Sequence, residues 1–474
     1  MKKTLLAATA VVVALGAAYV GSSHFVGRQV QQHLRAQTDR LTTQMPFIKV
    51  TEQGYERGLF ASTRTVSVQL GCDRAGAAHL PGRPPGALEF TLRDRICHGP
   101  LLEGGTWGAA SVQTELVLPP ALQSFVDQTF NGQPPLSIRT TIGFDRRYDA
   151  RVVSPRARLE GKPGQQVVWQ GLQGRFTGGG DDGAIHQEIS MPGLEMSDSD
   201  QGVRMVLSEL HWKNDGRLLG DSAWLMASGR TEGRLGLVEM NLPLPMPGGG
   251  DVRPFLFALT DLTLEAEGAA EQDLLHTTSR LHGSGSLDGV RLDRIELVAS
   301  VKRVHAPSYQ HLVETLMQQS FSCEEDEEAD PLAQLAALQS DLMQLLRYDP
   351  EYAVEKLAVE SGGQRGEVSY AFGVQGVTEA DKDLPPLQLL ATRARARADV
   401  SLPVAWIARL LDQPQLRASG AAPEPEMLEV LLDQFADQGY LVRRGEHVTA
   451  SVRYEAGRLL LNGQPLPIGR SALR

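Results

Sequence analysis

The sequence predicts a mainly β protein with some α-helix, in which an N-terminal transmembrane helix precedes an elongated antiparallel β-rich body that carries amphipathic helices. Three observations predict this fold class. Apolar and polar residues alternate with a two-residue period in many stretches after Pro46, an apolar run fills the N-terminus, and the chain has 48 glycines but only 6% aromatic residues. Two-residue alternation is typical of strands that bury one face of an antiparallel sheet.

Composition and charge exclude several classes of protein. The chain has 474 residues, of which 42% are hydrophobic, and its 46 Lys and Arg against 57 Asp and Glu make the net charge −11. Such a chain is too apolar to be disordered, and its acidic balance argues against a dedicated nucleic-acid binder. The three cysteines are too few for a disulfide scaffold or a cysteine-rich zinc module.

The N-terminus has the pattern of a membrane anchor. Residues 1–3 form a short tail with Lys2 and Lys3, and the apolar run 4–26 has the length that a membrane-spanning helix needs. The positive-inside rule keeps both lysines cytoplasmic, so we expect a single-pass protein of the bacterial inner membrane whose main body is periplasmic. The alternative is a signal peptide cleaved near residues 21–23, which would place the body in the same compartment.

A juxtamembrane helix is expected over residues 27–45, before the β-rich body that we assign to residues 46–474. Apolar residues recur along the helix at spacings of four, seven and four, at Val30, Leu34, Leu41 and Met45. This stripe fits either a homodimer formed through residues 28–45 as a short coiled coil, or a stalk that packs on its own domain. Pro46 ends the helix, and the body is either one unit or two lobes, 46–300 and 301–474.

The body is predicted to consist of short strands joined by tight turns. The alternating stretches lie at residues 66–70, 88–92, 262–266, 295–301, 448–452 and 459–461. Three dipeptides that tolerate positive φ predict hairpin turns, and these are Asp215-Gly216, Asp288-Gly289 and Asn462-Gly463.

Five helices are predicted in the body, at residues 121–130, 307–319, 331–347, 403–411 and 425–436. The clearest of them spans 331–347, because Asp330 can cap it and Pro331 suits its first position. Its apolar stripe consists of Leu332, Leu335, Leu338, Leu342 and Leu345. Such a stripe belongs either to the core or to a lid over a groove in the sheet.

The usual catalytic motifs are missing from the sequence. It contains no phosphate-binding loop, no zinc-binding H-E-x-x-H helix, no C-x-x-C pair and no G-x-S-x-G nucleophile elbow. The acidic run 323–328 fits a solvated loop better than a metal site, since consecutive like charges cannot all point at one ion. We therefore expect a protein that is not an enzyme, without a cofactor or a metal.

Cys72 and Cys97 are the candidates for a disulfide bond. An oxidising compartment favours a bridge between them over a metal site built with His79 and His98, whose spacing fits no familiar zinc module. A symmetric hairpin would bring Cys72 closer to Leu88 than to Cys97, so the bridge requires a shifted register or a third strand.

An arginine-rich stretch is the main candidate for a ligand contact. A strand over 392–398 would place Arg393, Arg395 and Arg397 on one face of the sheet. Guanidinium groups suit anions such as lipid phosphates. The alternative is a solvated face whose arginines pair with acidic residues on neighbouring strands.

Short motifs spread over the whole chain resemble one known family. The sharpest is residues 54–62, in which Tyr55, Arg57, Gly58 and Phe60 match a Y-x-R-G-x-F-x-S strand. Others lie at residues 169–174, 191–194, 305–307, 399–403, 439–441 and 461–466. In these motifs the chain resembles the YdgA-like family of bacterial envelope proteins, which share a domain of unknown function.

The resemblance implies a single-pass inner-membrane protein with a β-rich periplasmic body, and it brings no established catalytic residues. In the motif, Tyr55 can bury its ring while its hydroxyl stays paired, and Arg57 can pin the first hairpin or contact a ligand. The layout is also similar to that of AsmA-like envelope proteins, whose grooves are associated with lipids.

Two function classes follow for this chain. One is a module that binds or transfers a hydrophobic ligand such as a lipid during maintenance of the cell envelope. The other is a structural or interaction protein that supports envelope assembly without a small-molecule ligand. A continuous open apolar groove would favour the first class, and a sheet fully covered by helices, with a large exposed patch, would favour the second.

Overall fold

The structure is a computed structural model that describes residues 48–70, 88–118, 120–220, 222, 224–245, 252–321, 331–382, 384, 386–411, 425–455 and 457–466, with most of residues 23–43. In these ranges the chain forms 22 strands that belong to one sheet. The predicted mainly β, antiparallel body is therefore confirmed.

The strands of the first half are β1 (Ile48–Arg57), β2 (Ala61–Leu70), β3 (Leu88–His98), β4 (Ala110–Val117), β5 (Ser137–Ile142), β6 (Arg147–Ser154), β7 (Ala157–Glu160), β8 (Gln165–Trp169), β9 (Leu172–Gly179), β10 (Ala184–Asp198) and β11 (Val203–Leu218). Those of the second half are β12 (Met226–Pro245), β13 (Val252–Glu271), β14 (Leu274–Leu287), β15 (Val290–His305), β16 (Glu351–Ser361), β17 (Gln364–Val374), β18 (Ala394–Pro403), β19 (Val442–Arg444), β20 (His447–Glu455), β21 (Arg458–Leu461) and β22 (Gln464–Leu466).

The strands follow one another as a long antiparallel meander. Pairing runs in chain order from β1 to β6 and again from β10 to β18. Between these stretches β6 pairs with β9 and β7 with β8, while β8 and β9 lie end to end along one edge of β10. At the far end β20 pairs with β18 on one side and with β19 and β21 on the other.

The predicted alternating stretches all lie within strands, and two of the three turn dipeptides are hairpin turns. Asp288-Gly289 joins β14 to β15 and Asn462-Gly463 joins β21 to β22, and all four residues have positive φ. The prediction for Asp215-Gly216 is wrong, because both residues lie inside β11. Gly216 is needed there because a Cβ would lie 2.6 Å from the carbonyl oxygen of Ser228 on the next strand.

Seven helices are described. The first, α1, lies within residues 23–43. The others are α2 (Pro120–Thr129), α3 (Ala306–Phe321), α4 (Pro331–Leu346), α5 (Pro386–Arg393), α6 (Val404–Leu411) and α7 (Pro425–Asp437). All five helices predicted in the body are confirmed, and α5 was not predicted.

One face of the sheet carries a row of apolar residues and glycines that crosses its strands, and we call it the apolar face. Directly opposed residues of neighbouring strands lie on the same face, so the register of the strand pairs connects them into a line across the strands. From β5 to β18 this row consists of Ile138, Val152, Gly174, Ile189, Trp212, Gly233, Leu264, Leu281, Leu297, Leu357, Val368 and Val400.

In the described part of the chain, the helices that form apolar clusters with the sheet lie near the two ends of the apolar face. At the N-terminal end, Val30 and Leu34 of α1 pack with Ile96, Ala110 and Val112. At the C-terminal end α4 and α5 form a cluster with Val374, and α7 forms another with Val448, against which residues of α6 also pack. Among the described side chains of β9–β14, Met191 is the only buried apolar one.

The sheet continues through the expected lobe boundary at residues 300 and 301, because that position lies within β15, which pairs with both β14 and β16.

Among the residues that the structure describes, no helix combines the length and the apolarity that a bilayer span requires. Most of the predicted anchor, residues 4–26, lies outside the described part of the chain. In α1, Val30 and Leu34 pack on the chain's own sheet, as the stalk interpretation expects. Leu41 and Met45, the other residues of the predicted dimer stripe, are outside the described residues.

Candidate hydrophobic ligand surface

The middle of the apolar face, on β10–β15, is the candidate site, and we call it the open stretch. Its row consists of Ile189, Trp212, Gly233, Leu264, Leu281 and Leu297, which are all half-buried. Gly233 leaves room for the side chain of Trp212, because a Cβ at position 233 would lie 3.2 Å from the indole ring. A shallow cleft of about 280 Å³ is lined by Ile189, Trp212, Gly233 and Leu264 of the row, together with seven polar or charged residues that flank them on the same strands.

The opposite face of the same strands is charged. Five of the six residues of the open stretch have an exposed charged residue next to them in sequence, and these charged residues are Glu188, Lys213, Glu232, Glu265 and Arg280. Ion pairs cross this charged face, for example from Arg230 to Glu232 at 2.8 Å. The charged face is thus solvated, while the apolar face has side chains that water solvates poorly.

A cavity lies on the apolar face next to α1, between the covered end and the open stretch. It has a volume of about 330 Å³, and apolar side chains of Leu34, Val112 and Ile142 line it together with Asp94 and Tyr148. This volume falls in the range of small-molecule sites, about 300–1,000 Å³. Burial raises the pKa of the Asp94 carboxyl, and burial likewise raises the pKa of Tyr148. Both polar groups are therefore held in a poorly hydrated environment.

Charged hydrogen bonds hold α1 on the sheet beside this cavity. Arg35 Nη2 donates to Glu52 Oε1 at 2.7 Å, and this bond outweighs desolvation, so the pKa of Glu52 lies below its usual range. Arg64 Nη2 donates to Thr38 Oγ1 at 2.9 Å, and its Nε lies 3.4 Å from Glu52 Oε2. The helix that covers the N-terminal end is thus fastened by polar contacts as well as by apolar packing.

The three arginines of the predicted strand do not share one face. Arg393 is the last residue of α5, and its Nη2 donates to both carboxylate oxygens of Asp381 at 3.0 and 3.1 Å. The Thr378 N–H and then Arg393 keep the pKa of Asp381 below its usual range. Arg395 and Arg397 lie on β18, on the charged face, and Arg395 pairs with Glu455 at 3.0 Å. The shared strand face expected for all three is therefore not observed, and the anion contact itself stays a prediction.

Cys97 is a free thiol among the described residues, and Cys72 lies outside them. The Cys72–Cys97 bridge therefore stays a prediction. The register of β2 and β3 places Cys97 opposite Ala61, nine residues from Leu70, which corresponds to about 30 Å along the strand. Burial, followed by the neighbouring Glu103 carboxylate, raises the pKa of the Cys97 thiol.

The motif residues lie at the first hairpin. The ring of Tyr55 packs against the cluster under α1, but its buried hydroxyl has no hydrogen-bond partner among the described residues, contrary to expectation. Arg57 is the exposed last residue of β1 and pairs by register with Ser62. Gly58 must be a glycine, since a Cβ would lie 2.7 Å from the Ala61 carbonyl oxygen, and Phe60 is exposed in the turn.

The open stretch itself was not predicted from the sequence. On five of its six strands the row residue stands between two polar residues, which indicates a strand but not which residues oppose each other. The signal that could have found it is the recurrence of polar neighbours on both sides of Trp212 and Leu264, with no helix predicted over residues 138–300 to cover them.

Comparison with known proteins identifies a family for the chain. A family model described as a bacterial protein of unknown function (DUF945) matches residues 1–469. No curated protein matches the chain, and no solved structure matches it either. Because the family match extends over almost the whole sequence, this chain belongs to the DUF945 family of bacterial proteins of unknown function.

Proposed function

We propose that the protein is a non-enzymatic, inner-membrane-anchored periplasmic protein that binds or transfers a hydrophobic ligand such as a lipid in maintenance of the cell envelope. The open stretch carries this proposal. A sheet with one charged face normally buries its other face against a second layer. Here the row from Ile189 to Leu297 lacks such a layer among the described residues, so a bound apolar ligand would supply the missing contacts.

The dimensions of the open stretch suit an acyl chain. Its row crosses six strands, which corresponds to about 24 Å at the usual strand spacing. The acyl chains of one leaflet fill about 15 Å, half of the hydrocarbon core of a bilayer. One chain can therefore lie along the row, across the strands, with Trp212, Leu264 and Leu281 against its methylene groups.

The location rests on the sequence. The apolar run 4–26 behind Lys2 and Lys3 has the pattern of a single-pass anchor that leaves the body in the periplasm. Within the DUF945 family we place the chain with the YdgA-like proteins, because residues 54–62 carry their Y-x-R-G-x-F-x-S pattern. The layout that resembles AsmA-like envelope proteins supports the same location and the same ligand class.

A second candidate is a structural or interaction protein of the envelope. One observation favours it, namely three exposed aromatic side chains on the apolar face near its C-terminal end, Tyr352, Tyr370 and Phe372. The rings of Tyr352 and Tyr370 lie 6.0 Å apart. Aromatic clusters of this kind are common in protein interfaces.

The test is lipid analysis of the full chain purified in detergent, with a matched pair of double variants. Leu264→Gln/Leu281→Gln places two amides on the open stretch, at residues that oppose each other. Thr263→Gln/His282→Gln places two amides on the same strands, also opposed, but on the charged face. Mass spectrometry should find co-purified lipid with the unmodified chain and with the second variant, and several-fold less with the first.

Equal lipid content in the two variants would refute binding on the open stretch, provided that both melt at the same temperature. If no lipid co-purifies with any of the three proteins, while Tyr352→Ala/Phe372→Ala abolishes co-purification of a protein partner, the interaction role is the better description.

A further inference from the structure

Hairpin tips with exposed apolar side chains line the edge of the sheet where β1–β6 turn. The turn between β1 and β2 carries Leu59, the loop between β3 and β4 carries Trp107, and the turn between β5 and β6 carries Phe144. Their exposed fractions are 44%, 73% and 57%. Large apolar side chains exposed together at one edge are unusual for a surface that faces only water.

These tips are neighbours in space. The His98 N–H donates to the Phe60 carbonyl oxygen at 2.8 Å, which joins the first turn to the end of β3. The Ala109 N–H donates to the Ile142 carbonyl oxygen at 2.7 Å, which joins the second loop to the third turn. Backbone hydrogen bonds therefore connect all three tips into one edge, which we call the aromatic edge.

The N-terminal helix enters the body at the aromatic edge. The Ser23 hydroxyl donates to the Leu59 carbonyl oxygen at 3.3 Å, and Gly27 lies so close to His98 that a Cβ would be 2.6 Å from its ring. Phe25, between them in sequence, is 61% exposed. The predicted membrane span, residues 4–26, thus ends where the exposed apolar tips are gathered.

The charges at this edge largely cancel. Arg146 pairs with Asp181 at 2.7 Å, and Arg147 pairs with Asp182 at 2.8 Å. Contact with a membrane through this edge would therefore rely on the apolar and aromatic side chains, and not on attraction to anionic lipids. Tryptophan in particular favours the headgroup region of a bilayer.

We propose that the aromatic edge lies on the surface of the bilayer that holds the anchor, with Leu59, Trp107 and Phe144 in its headgroup region. This inference rests on the inner-membrane anchoring of the proposed function, but not on its lipid ligand. The cavity beside α1 is lined by Ile142 and Arg146, which flank the turn of Phe144. A lipid that leaves the bilayer at this edge would meet the cavity first and the open stretch next.

Fluorescence quenching in nanodiscs tests the placement on the full chain. The discs contain phosphatidylcholine with bromine atoms near the headgroup end of the acyl chains, which quench tryptophan on contact. The protein has five tryptophans, so Trp107→Phe removes one reporter from an exposed position without disturbing the fold. We expect this variant to lose more than half of the quenching that the brominated lipid causes.

Two further variants separate the edge from the ligand surface. Trp406→Phe, near Gly366 at the C-terminal end, is the matched control and should leave the quenching unchanged. Trp212→Phe tests whether lipid lies on the open stretch. A loss of quenching in Trp107→Phe but not in Trp212→Phe would support the aromatic edge alone, and the opposite result would support the open stretch alone. The result for Trp107→Phe should also be the same when anionic lipid is added.

The proposal would be overturned if Trp107→Phe left the quenching unchanged, whatever the result for Trp212→Phe. It would also be overturned if neither brominated lipid nor aqueous acrylamide quenched Trp107, because a second copy or a protein partner would then cover the edge.

Discussion

The covered N-terminal end and the open stretch of the apolar face are built from the same kind of strand but differ in what lies on them. Under α1, Ile96 is 0% exposed and sits in a cluster with Val30 and Val112. On the open stretch, Leu281 occupies the same kind of position between polar neighbours and is only half-buried. The comparison shows that alternation of apolar and polar residues creates an apolar face. That face becomes a buried core only where a helix from elsewhere in the chain packs on it.

The difference has an energetic side and a functional side. Burying an apolar side chain contributes about 1.5–3 kcal/mol, and the residues of the open stretch forgo part of this gain. Apolar burial therefore stabilises the two covered ends more than the middle, where apolar surface stays available for a ligand. The same substitution made in a covered region and in the open stretch should therefore change the free energy of unfolding by different amounts.

The largest expected effect is that of a charge in the covered region. Ile96→Asp should lower the free energy of unfolding by about 4 kcal/mol or more, because the carboxylate would lack both water and a partner. The same change at Leu281 should cost about 1 kcal/mol, because water can reach that side chain. Urea unfolding of the detergent-solubilised full chain measures both, and equal losses would mean that the open stretch is covered after all.

An intermediate effect is expected at the C-terminal covering. Met343 and Leu342 are adjacent in α4, but Met343 is buried in the cluster with Val374, while Leu342 is 42% exposed. Met343→Ala should therefore cost about 2–3 kcal/mol through lost burial and a cavity, and Leu342→Ala less than about 0.5 kcal/mol. Melting temperatures of the two variants compare them, and the reverse order would show that α4 is rotated about its axis.

The smallest effect concerns the polar fastening of α1 and depends on pH. The pKa of Glu52 is lowered in the folded chain, so its stabilisation is fully present above the ordinary glutamate pKa and is lost as pH falls through the lowered value. Glu52→Gln should cost about 1 kcal/mol at pH 7, and the difference should shrink below about pH 4.

Glu56→Gln is the matched control on β1, since Glu56 is exposed, and it should change the free energy of unfolding by less than about 0.5 kcal/mol at either pH. A cost of Glu52→Gln that stays constant with pH would point to lost packing instead of a lost charge interaction.

Several elements of the fold were predictable from local sequence. The alternation at residues 66–70 and 295–301 lies in β2 and β15, and Asp288-Gly289 forms the predicted hairpin turn, because side-chain period and positive φ are properties of the local backbone. The five predicted helices are also present, because the spacing of apolar residues along a helix is likewise a local property of the sequence.

Other predictions failed where a distant contact decided the outcome. Asp215-Gly216 has the composition of a turn, but Gly216 serves the close approach of β12 to β11. Arg393 has the spacing of a strand residue, but it ends α5 and pairs with Asp381. Leu342 belongs to the predicted apolar stripe of its helix, yet it is exposed, because the buried side of α4 is the one that meets Val374.

The sequence by itself determined that this chain is an antiparallel β protein with amphipathic helices, since hydrophobic period and turn chemistry act within a few residues. The tertiary structure alone decided which strands become neighbours and where the helices rest. The row from Ile189 to Leu297 draws its residues from six strands whose register is set by long-range pairing. It stays open because α1 packs on β3 and β4, while α4 to α7 pack near β17 to β20, and no local pattern encodes where a helix will lie on a sheet.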